Sequence, residues 1–502
     1  MSAAFFYWLR NCIFQRKGNQ MKTLSYFTVA IGMALFFSAA ASYSQADSPQ
    51  KEASLSAAQI TQLAEDAYTY GLGPMVYYRL YSEQVIRDTK TMEVNKITHR
   101  RKLSDYKERG GQAPNHDTMY SLTWFDVGDE PLVVQIPNYK DRFYGIQLTS
   151  MFQDNFQNIG NSMAYGNRDV YQNEYTFMLA TQDWQGEVPE GVELIRSPGA
   201  IIHFLQRTYV TPNDADDLLL ANALQDRHLS VPLSAWNKGD REPVVHEPRL
   251  PNLVEDGELG FLGGLNTLLN AYPPANKAEL EYIKQFKAIN IGAGKDFDSS
   301  NLSPETRQAL LSGIEQGKKK VANLQEEGLG YILNGWAFMD DRQGNYGSDY
   351  LLRGASVSLG GIVPRPQFNT YTLTFKDKSG ELLSGQNNYK IHFNKEEIPQ
   401  ATAFWSLTAY TPDFWLPELE DKRYKLSNLS PGIVYNKDGS LDMYVQYESP
   451  AQDRKANWLP VPEDGFFLVI RFYAPKEAVI KGEYAPPFVK RRQGQVEAAH
   501  LR

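Results

Sequence analysis

Arg142-Phe143-Tyr144-Gly145-Ile146-Gln147-Leu148-Thr149 and Ala403-Phe404-Trp405-Ser406-Leu407-Thr408-Ala409-Tyr410 decide how this chain is read. Each alternates bulky residues with small or polar ones at period two, the pattern of a strand with one face in a core and the other on something wetter. They read as equivalent strands of two copied β-domains. A second match follows in the same order. Leu459-Pro460-Val461-Pro462 to Tyr473 lies over Ile195-Arg196-Ser197-Pro198 to Tyr209, so that Arg207 meets Arg471 and Tyr209 meets Tyr473. In both copies Arg-x-Tyr puts two side chains on one face of a strand.

Working outward, helical spacing at Ile60, Leu63, Ala64, Ala67 and Tyr68 predicts a helix ending near Gly71-Leu72-Gly73-Pro74, with a second over Met75 to Val85. Strands are expected at Met119 to Asp126, Pro131 to Ile136, Arg142 to Met151, Tyr175 to Thr181 and Ala200 to Val210. Pro212-Asn213-Asp214 caps a helix, and 237–251 reads as a linker. Helical patterns cover Phe261 to Ala271, Ala275 to Ile289, Pro304 to Gln325 and Tyr350 to Val357. Period two returns at Asn369 to Phe375, Tyr389 to Phe393, Thr402 to Thr411, Gly432 to Asn436, Leu441 to Tyr447 and Gly465 to Tyr473; the tail after Pro475 is expected to fray. The fold class is therefore α+β multidomain: two duplicated jelly-roll-like antiparallel β-sandwiches (113–211 and 363–480) interleaved with two mainly helical regions (47–112 and 212–362).

The N-terminus carries an address. Met21-Lys22, an apolar run from Leu24 to Ala41 and Ser44-Gln45-Ala46 form a signal-peptide pattern with Met21 as the expected start, so the protein is expected to be periplasmic or secreted and to keep no membrane anchor. The chain holds 51 basic and 59 acidic residues. The four basic residues within 1–46 leave the remainder at net −12, which disfavours nucleic acid as a partner. Cys12 is the only cysteine, so 47–502 offers neither a disulfide nor a thiol nucleophile. Tyrosine is abundant, with 30 residues, and can pack β-faces or line saccharide or aromatic ligand sites.

Asn115-His116-Asp117-Thr118-Met119-Tyr120-Ser121, Pro131 to Pro137, Arg142-Phe143-Tyr144 and Gln206-Arg207-Thr208 resemble domain of unknown function 1254. Tyr346-Gly347-Ser348-Asp349-Tyr350, Leu382 to Gly385, Phe404-Trp405-Ser406-Leu407-Thr408, Asn457-Trp458-Leu459-Pro460 and Arg471-Phe472-Tyr473 resemble domain of unknown function 1214. The resemblance implies two jelly-roll-like sandwiches and no settled activity. His116 stands where that family often has Asn.

The first candidate site is the loop and strand start at Asn115, His116, Asp117, Thr118 and Tyr120. His116, Asp117 and Tyr120 are the candidate catalytic set, as an acid–base pair or metal ligands; the competing reading is that Asn, Asp and Thr cap a turn. The second is a ligand-binding set: Asn115, Arg142, Tyr144, Gln147, Trp405, Thr408 and Tyr410, against a plain sandwich core. Arg207 and Arg471 read as braces, and Asp349 with Arg353 as an i, i+4 salt bridge. His99, His203, His228, His246 and His392 lack ligand spacing, so no metal site and no cofactor is expected. No hydrolase, nucleotide or dinucleotide motif is present. The expected function is binding of a small or medium organic ligand, saccharide or aromatic, where a sandwich meets its helical neighbour; a hydrolase or lyase working near Asp117 and a structural assembly protein are the alternatives. Function is expected where the copies differ: Arg142 against Ala403, Gly145 against Ser406, and the His116-Asp117 loop.

Overall fold

The computed structural model describes residues 55–109, 113–160 and 174–492. The signal-peptide pattern at 1–46 and the Ser48 to Ser54 lead-in lie outside the described residues. Within them, no helix is long and apolar enough to cross a membrane.

The first described element is one helix, Ala57–Tyr81, rather than two. Ser56 accepts from the Gln59 backbone amide and Gln59 reaches back, a capping box that fixes the start. Pro74 cannot donate to the Tyr70 carbonyl, and such a loss in a helix interior normally breaks or kinks it. Here the Arg353 guanidinium takes the missing donor's place, with Nη2 3.1 Å from that carbonyl. The helix runs on and closes in a π-turn over Ser82–Ile86. Its long neighbour Pro304–Glu327, capped by Ser303 with Pro304 in the first turn, crosses it at Gly313 and Gly317, where the two backbones approach closely. Gly260–Ala271 and Tyr350–Gly360 complete the helical block. The pattern over Ala275 to Ile289 resolves into Lys277–Ile283 and a 3₁₀ segment Lys284–Ile289.

Strands β1 (Thr98–His99), β2 (Thr118–Asp126), β3 (Leu132–Ile136), β4 (Tyr144–Ser150), β5 (Asn155–Gly160), β6 (Tyr175–Thr181), β7 (Glu193–Ser197), β8 (Ile201–Tyr209) and β9 (Leu229–Pro232) form two sheets, ordered β1-β2-β8-β4-β5 and β7-β6-β3-β9. Phe125, Ile146, Phe204, Val134 and Phe177 fill the layer between them. Strands β10 (Gly330–Leu333), β11 (Trp336–Met339), β12 (Asn369–Thr374), β13 (Tyr389–Phe393), β14 (Ala401–Tyr410), β15 (Lys425–Ser427), β16 (Leu441–Gln446), β17 (Trp458–Pro460), β18 (Phe467–Pro475) and β19 (Lys490–Arg491) form two more, ordered β10-β11-β12-β18-β14-β15 and β17-β16-β13-β19. Trp405, Leu407, Ile470, Ile391 and Met443 fill the second layer. Pairing is antiparallel except between β6 and β7 and between β16 and β17. The molecule is thus mixed α+β, with several mainly antiparallel sheets and, among the described residues, no closed barrel.

Three local expectations change. Gly432 to Asn436 is not a strand; Asn436 to Ser440 closes a turn with Gly439 at φ 84°, leading into β16, and β15 takes the edge position instead. The segment after Pro475 is folded up to Arg492, because Tyr484 and Val489 are buried and β19 pairs with β13. Asp349 and Arg353 are not a pair: Asp349 caps its helix and binds Arg342, while Arg353 turns inward to Glu279.

Candidate functional site

The two β-units meet through the outer faces of β8, β14 and β18. Phe143, Tyr209, Phe404 and Tyr473 form one aromatic cluster there, with Phe404 and Tyr473 stacked at 4.0 Å. Register explains the meeting. Gly145 lies opposite Arg207 and Ser406 opposite Arg471, so the two Arg-x-Tyr faces point at each other. Arg207 donates to Gln147 Oε1 at 3.0 Å and lies over Tyr120, while Arg471 donates to the Tyr410 hydroxyl at 2.6 Å and lies over Tyr371.

Asp117 reaches into this layer from the start of β2 and is completely enclosed. Its Oδ2 accepts from Ser406 Oγ at 2.7 Å and from the Tyr473 hydroxyl at 2.9 Å, and its Oδ1 lies 2.8 Å from Lys425 Nζ. Burial pushes the carboxyl up, but Lys425 and Arg471 outweigh it and hold the group below the usual range. Burial, reinforced by Arg471, lowers the Lys425 ammonium despite Asp117. Asn115 caps the turn with Oδ1, accepting from the Asp117 amide, and sends Nδ2 to Tyr473. His116 faces away from Asp117. Its Nδ1 donates to the Ser104 carbonyl, its ring meets Tyr424 edge-on, and burial lowers it to about 4.

The other sequence candidates are dispersed. Tyr120 stands beside Arg207 and Arg100. Gln147 bridges Arg207 and the Val363 carbonyl, and Tyr410 joins Arg471 to the Pro114 carbonyl, its hydroxyl pushed up to about 12 mainly by burial. Thr408 lies opposite Lys425 with its hydroxyl buried and unpartnered. Arg142 pairs with Asp217, Tyr144 packs on Tyr139 inside the first unit, and Trp405 sits in the core of the second. Gly145 leaves room for the Phe368 ring, which a Cβ there would strike.

A different site is open to solvent. A cleft of about 840 Å³ lies between β5, β7 and the helical block, walled by Asp154, Gln157, Arg196, Asn276, Glu279 and Arg365. Sequence reasoning missed it because its residues come from six separate segments with no shared motif. Asp154 makes no side-chain hydrogen bond to another described residue; burial first, and Glu279 second, raise its pKa, partly offset by Arg353 and Arg365. Glu279 is held at 2.7 Å by Arg353. A smaller cavity of about 20 Å³, bounded by Asp154, Tyr272 and Glu279, adjoins it and has room for one water. No cluster of three His, Cys, Asp or Glu residues able to hold a metal occurs among the described residues.

The architecture is two pairs of sheets with a helical block packed against the first pair. Two family models match the chain, both described as proteins of unknown function: DUF1254 over residues 94–231 and DUF1214 over residues 369–477. The chain carries both, in that order, with Asp117 in the first and Lys425 in the second. The crystal structure of the VPA0106 protein from Vibrio parahaemolyticus is similar in fold, with TM-score 0.65 and 20% identity over 86% of this chain and 100% of that one. A putative uncharacterized protein from Burkholderia cenocepacia matches with TM-score 0.39 and 10% identity over 87% and 94%. No curated protein matches.

Proposed function

We propose that the protein binds a small or medium polar organic compound, of saccharide size, in the cleft between the first β-unit and the helical block. The observation that carries this reading is the 840 Å³ cleft with Asp154 in its wall. The volume falls in the range of small-molecule sites, and its charged and amide side chains offer both donors and acceptors. Thermal unfolding with monosaccharides, disaccharides and aromatic carboxylates tests it. A ligand at a hundred times its Kd stabilises by about 2.7 kcal/mol, and Gln157→Ala with Asp154→Asn should abolish that gain. If no compound in the panel raises Tm, the reading falls.

An acid–base enzyme, hydrolase or lyase, is the second reading. Asp154 favours it, since a carboxyl raised by burial can carry a proton to a ligand in the cleft, with Glu279 close by. The wholly enclosed Asp117 can react only with groups already packed around it.

We also read the two β-units as copies of one jelly-roll-like sandwich. Equivalent orders support it: β2-β8-β4-β5 against β12-β18-β14-β15, and β7-β6-β3-β9 against β17-β16-β13-β19. Export rests on the leader pattern ending at Ala46, and N-terminal sequencing of the native protein tests it.

A further inference from the structure

We propose that Lys425 and Asp117 become joined by an intramolecular isopeptide bond, a covalent tie between the two β-units that forms once folding brings them together. The first observation is the approach itself. Lys425 Nζ lies 2.8 Å from Asp117 Oδ1, and neither atom has a hydrogen-bond partner elsewhere among the described residues, so the nitrogen and the carboxyl face only each other.

The second is the division of labour between the two carboxyl oxygens. Oδ2 is held by Ser406 and Tyr473, whose hydroxyls donate at 2.7 and 2.9 Å, while Oδ1, on the lysine side, has no such donor. Two donors on one oxygen mark it as the atom that stays, because they stabilise the negative charge it gains when a nucleophile adds to Cγ. Burial holds the Tyr473 phenol protonated, so it remains a donor. The oxygen without a donor is the one free to leave.

The third is the surroundings. The ammonium lies 5.1 Å from the ring of Tyr209 and 5.9 Å from that of Phe404, and both members of the pair are buried. Lys425 and Arg471 are the two cations that act on Asp117. Enclosing an ion pair costs desolvation that its attraction only partly offsets, and the repulsion by Arg471 makes the lysine the easier cation to discharge.

The step balances without any co-reactant. One ammonium proton passes to Oδ1, the neutral Nζ adds to Cγ, and the Cγ–Oδ1 bond breaks as Oδ1 leaves with a second nitrogen proton as water. The third proton stays as the amide N–H. A buried cation and anion are replaced by one neutral amide, whose carbonyl keeps the Ser406 and Tyr473 hydrogen bonds; the unpartnered Thr408 hydroxyl, opposite Lys425 across β14 and β15, is available as acceptor for the N–H. Residues 47–502 contain no cysteine, so this bond would be a staple independent of redox state.

Peptide mapping of the purified full-length protein, digested by trypsin after denaturation, tests the proposal. The expected product is a branched peptide joining residues 110–140 to residues 424–437, one water lighter than the two together, because an acylated Lys425 resists cleavage. Lys425→Arg and Asp117→Ala should abolish it, and Ser406→Ala should leave a substantial unlinked fraction. Quantitative cleavage after Lys425 in the digest of the denatured wild-type protein would overturn the bond. The wild-type map alone decides the matter even where the two abolishing variants do not fold, and full linkage in Ser406→Ala would overturn the role given to its hydroxyl.

Discussion

Arg353 shows how much one side chain can hold. It is completely buried, replaces the donor that Pro74 lacks, binds the Phe152 carbonyl at 3.1 Å and neutralises Glu279 at 2.7 Å. Arg353→Met is therefore expected to cost about 3–5 kcal/mol, since it leaves a buried carboxylate without a partner. Urea unfolding measures this, and a loss under about 1 kcal/mol would mean that Glu279 finds another counter-charge. His203 gives the opposite case. Both its ring nitrogens are buried without partners while the ring packs against Tyr77 and Trp124, so the imidazole acts as an aromatic disc. His203→Phe should leave stability at neutral pH unchanged or raised, because it removes polar atoms that gain nothing from burial.

At the scale of elements, the crossing of Ala57–Tyr81 with Pro304–Glu327 depends on missing side chains. A Cβ on Gly313 would collide with the Thr61 carbonyl and lie 2.6 Å from Ala64 Cβ, whereas one on Gly317 would meet only the Tyr68 side chain. Alanine favours a helix interior over glycine by about 1 kcal/mol, yet Gly313→Ala is expected to destabilise by about 1–3 kcal/mol through overpacking. Gly317→Ala should cost less, since the tyrosine can give way. Comparison of their thermal unfolding checks the order, and equal effects would show that the helices can separate. Element type was legible wherever periodicity ran long: β2, β4, β8, β14 and β18 follow the alternation read from sequence, and the Ser303-Pro304 start gave the long helix its first residue. The break expected at Pro74 failed because its remedy, Arg353, lies 279 positions away, and no local rule reaches that far. The candidate residues divided for a related reason. Alternation shows that Tyr144 and Trp405 share a face with core neighbours, but not which face meets the other unit; the cleft around Asp154 has no periodic signature at all.

For the whole molecule, the histidines make acid the condition to examine. Burial is the leading cause that lowers His116 and His228 to about 4 and His99 and His203 to about 3. Each binds a proton near pH 6.5 when the chain is unfolded, so between that value and the folded pKa the unfolded state holds more protons, and stability rises with pH. Acidification from pH 6.5 towards 4 should therefore remove stability, at up to roughly 1.4 kcal/mol per pH unit for each histidine that stays neutral in the fold. Asp154, with its pKa raised, works in the other direction, because its protonated form suits the folded state. Asp66, also raised by burial, acts in the same sense as Asp154, but two raised carboxyls cannot offset four depressed imidazoles, and the lowered Asp117 adds to the loss only further down, below the ordinary carboxylate range. The measurement is Tm against pH between 7 and 4 for the wild type and for His203→Phe. The wild type should lose Tm steeply through that window and the variant should follow a shallower line; coincident curves would show that His203 takes up its proton without unfolding and that the chain opens locally around it.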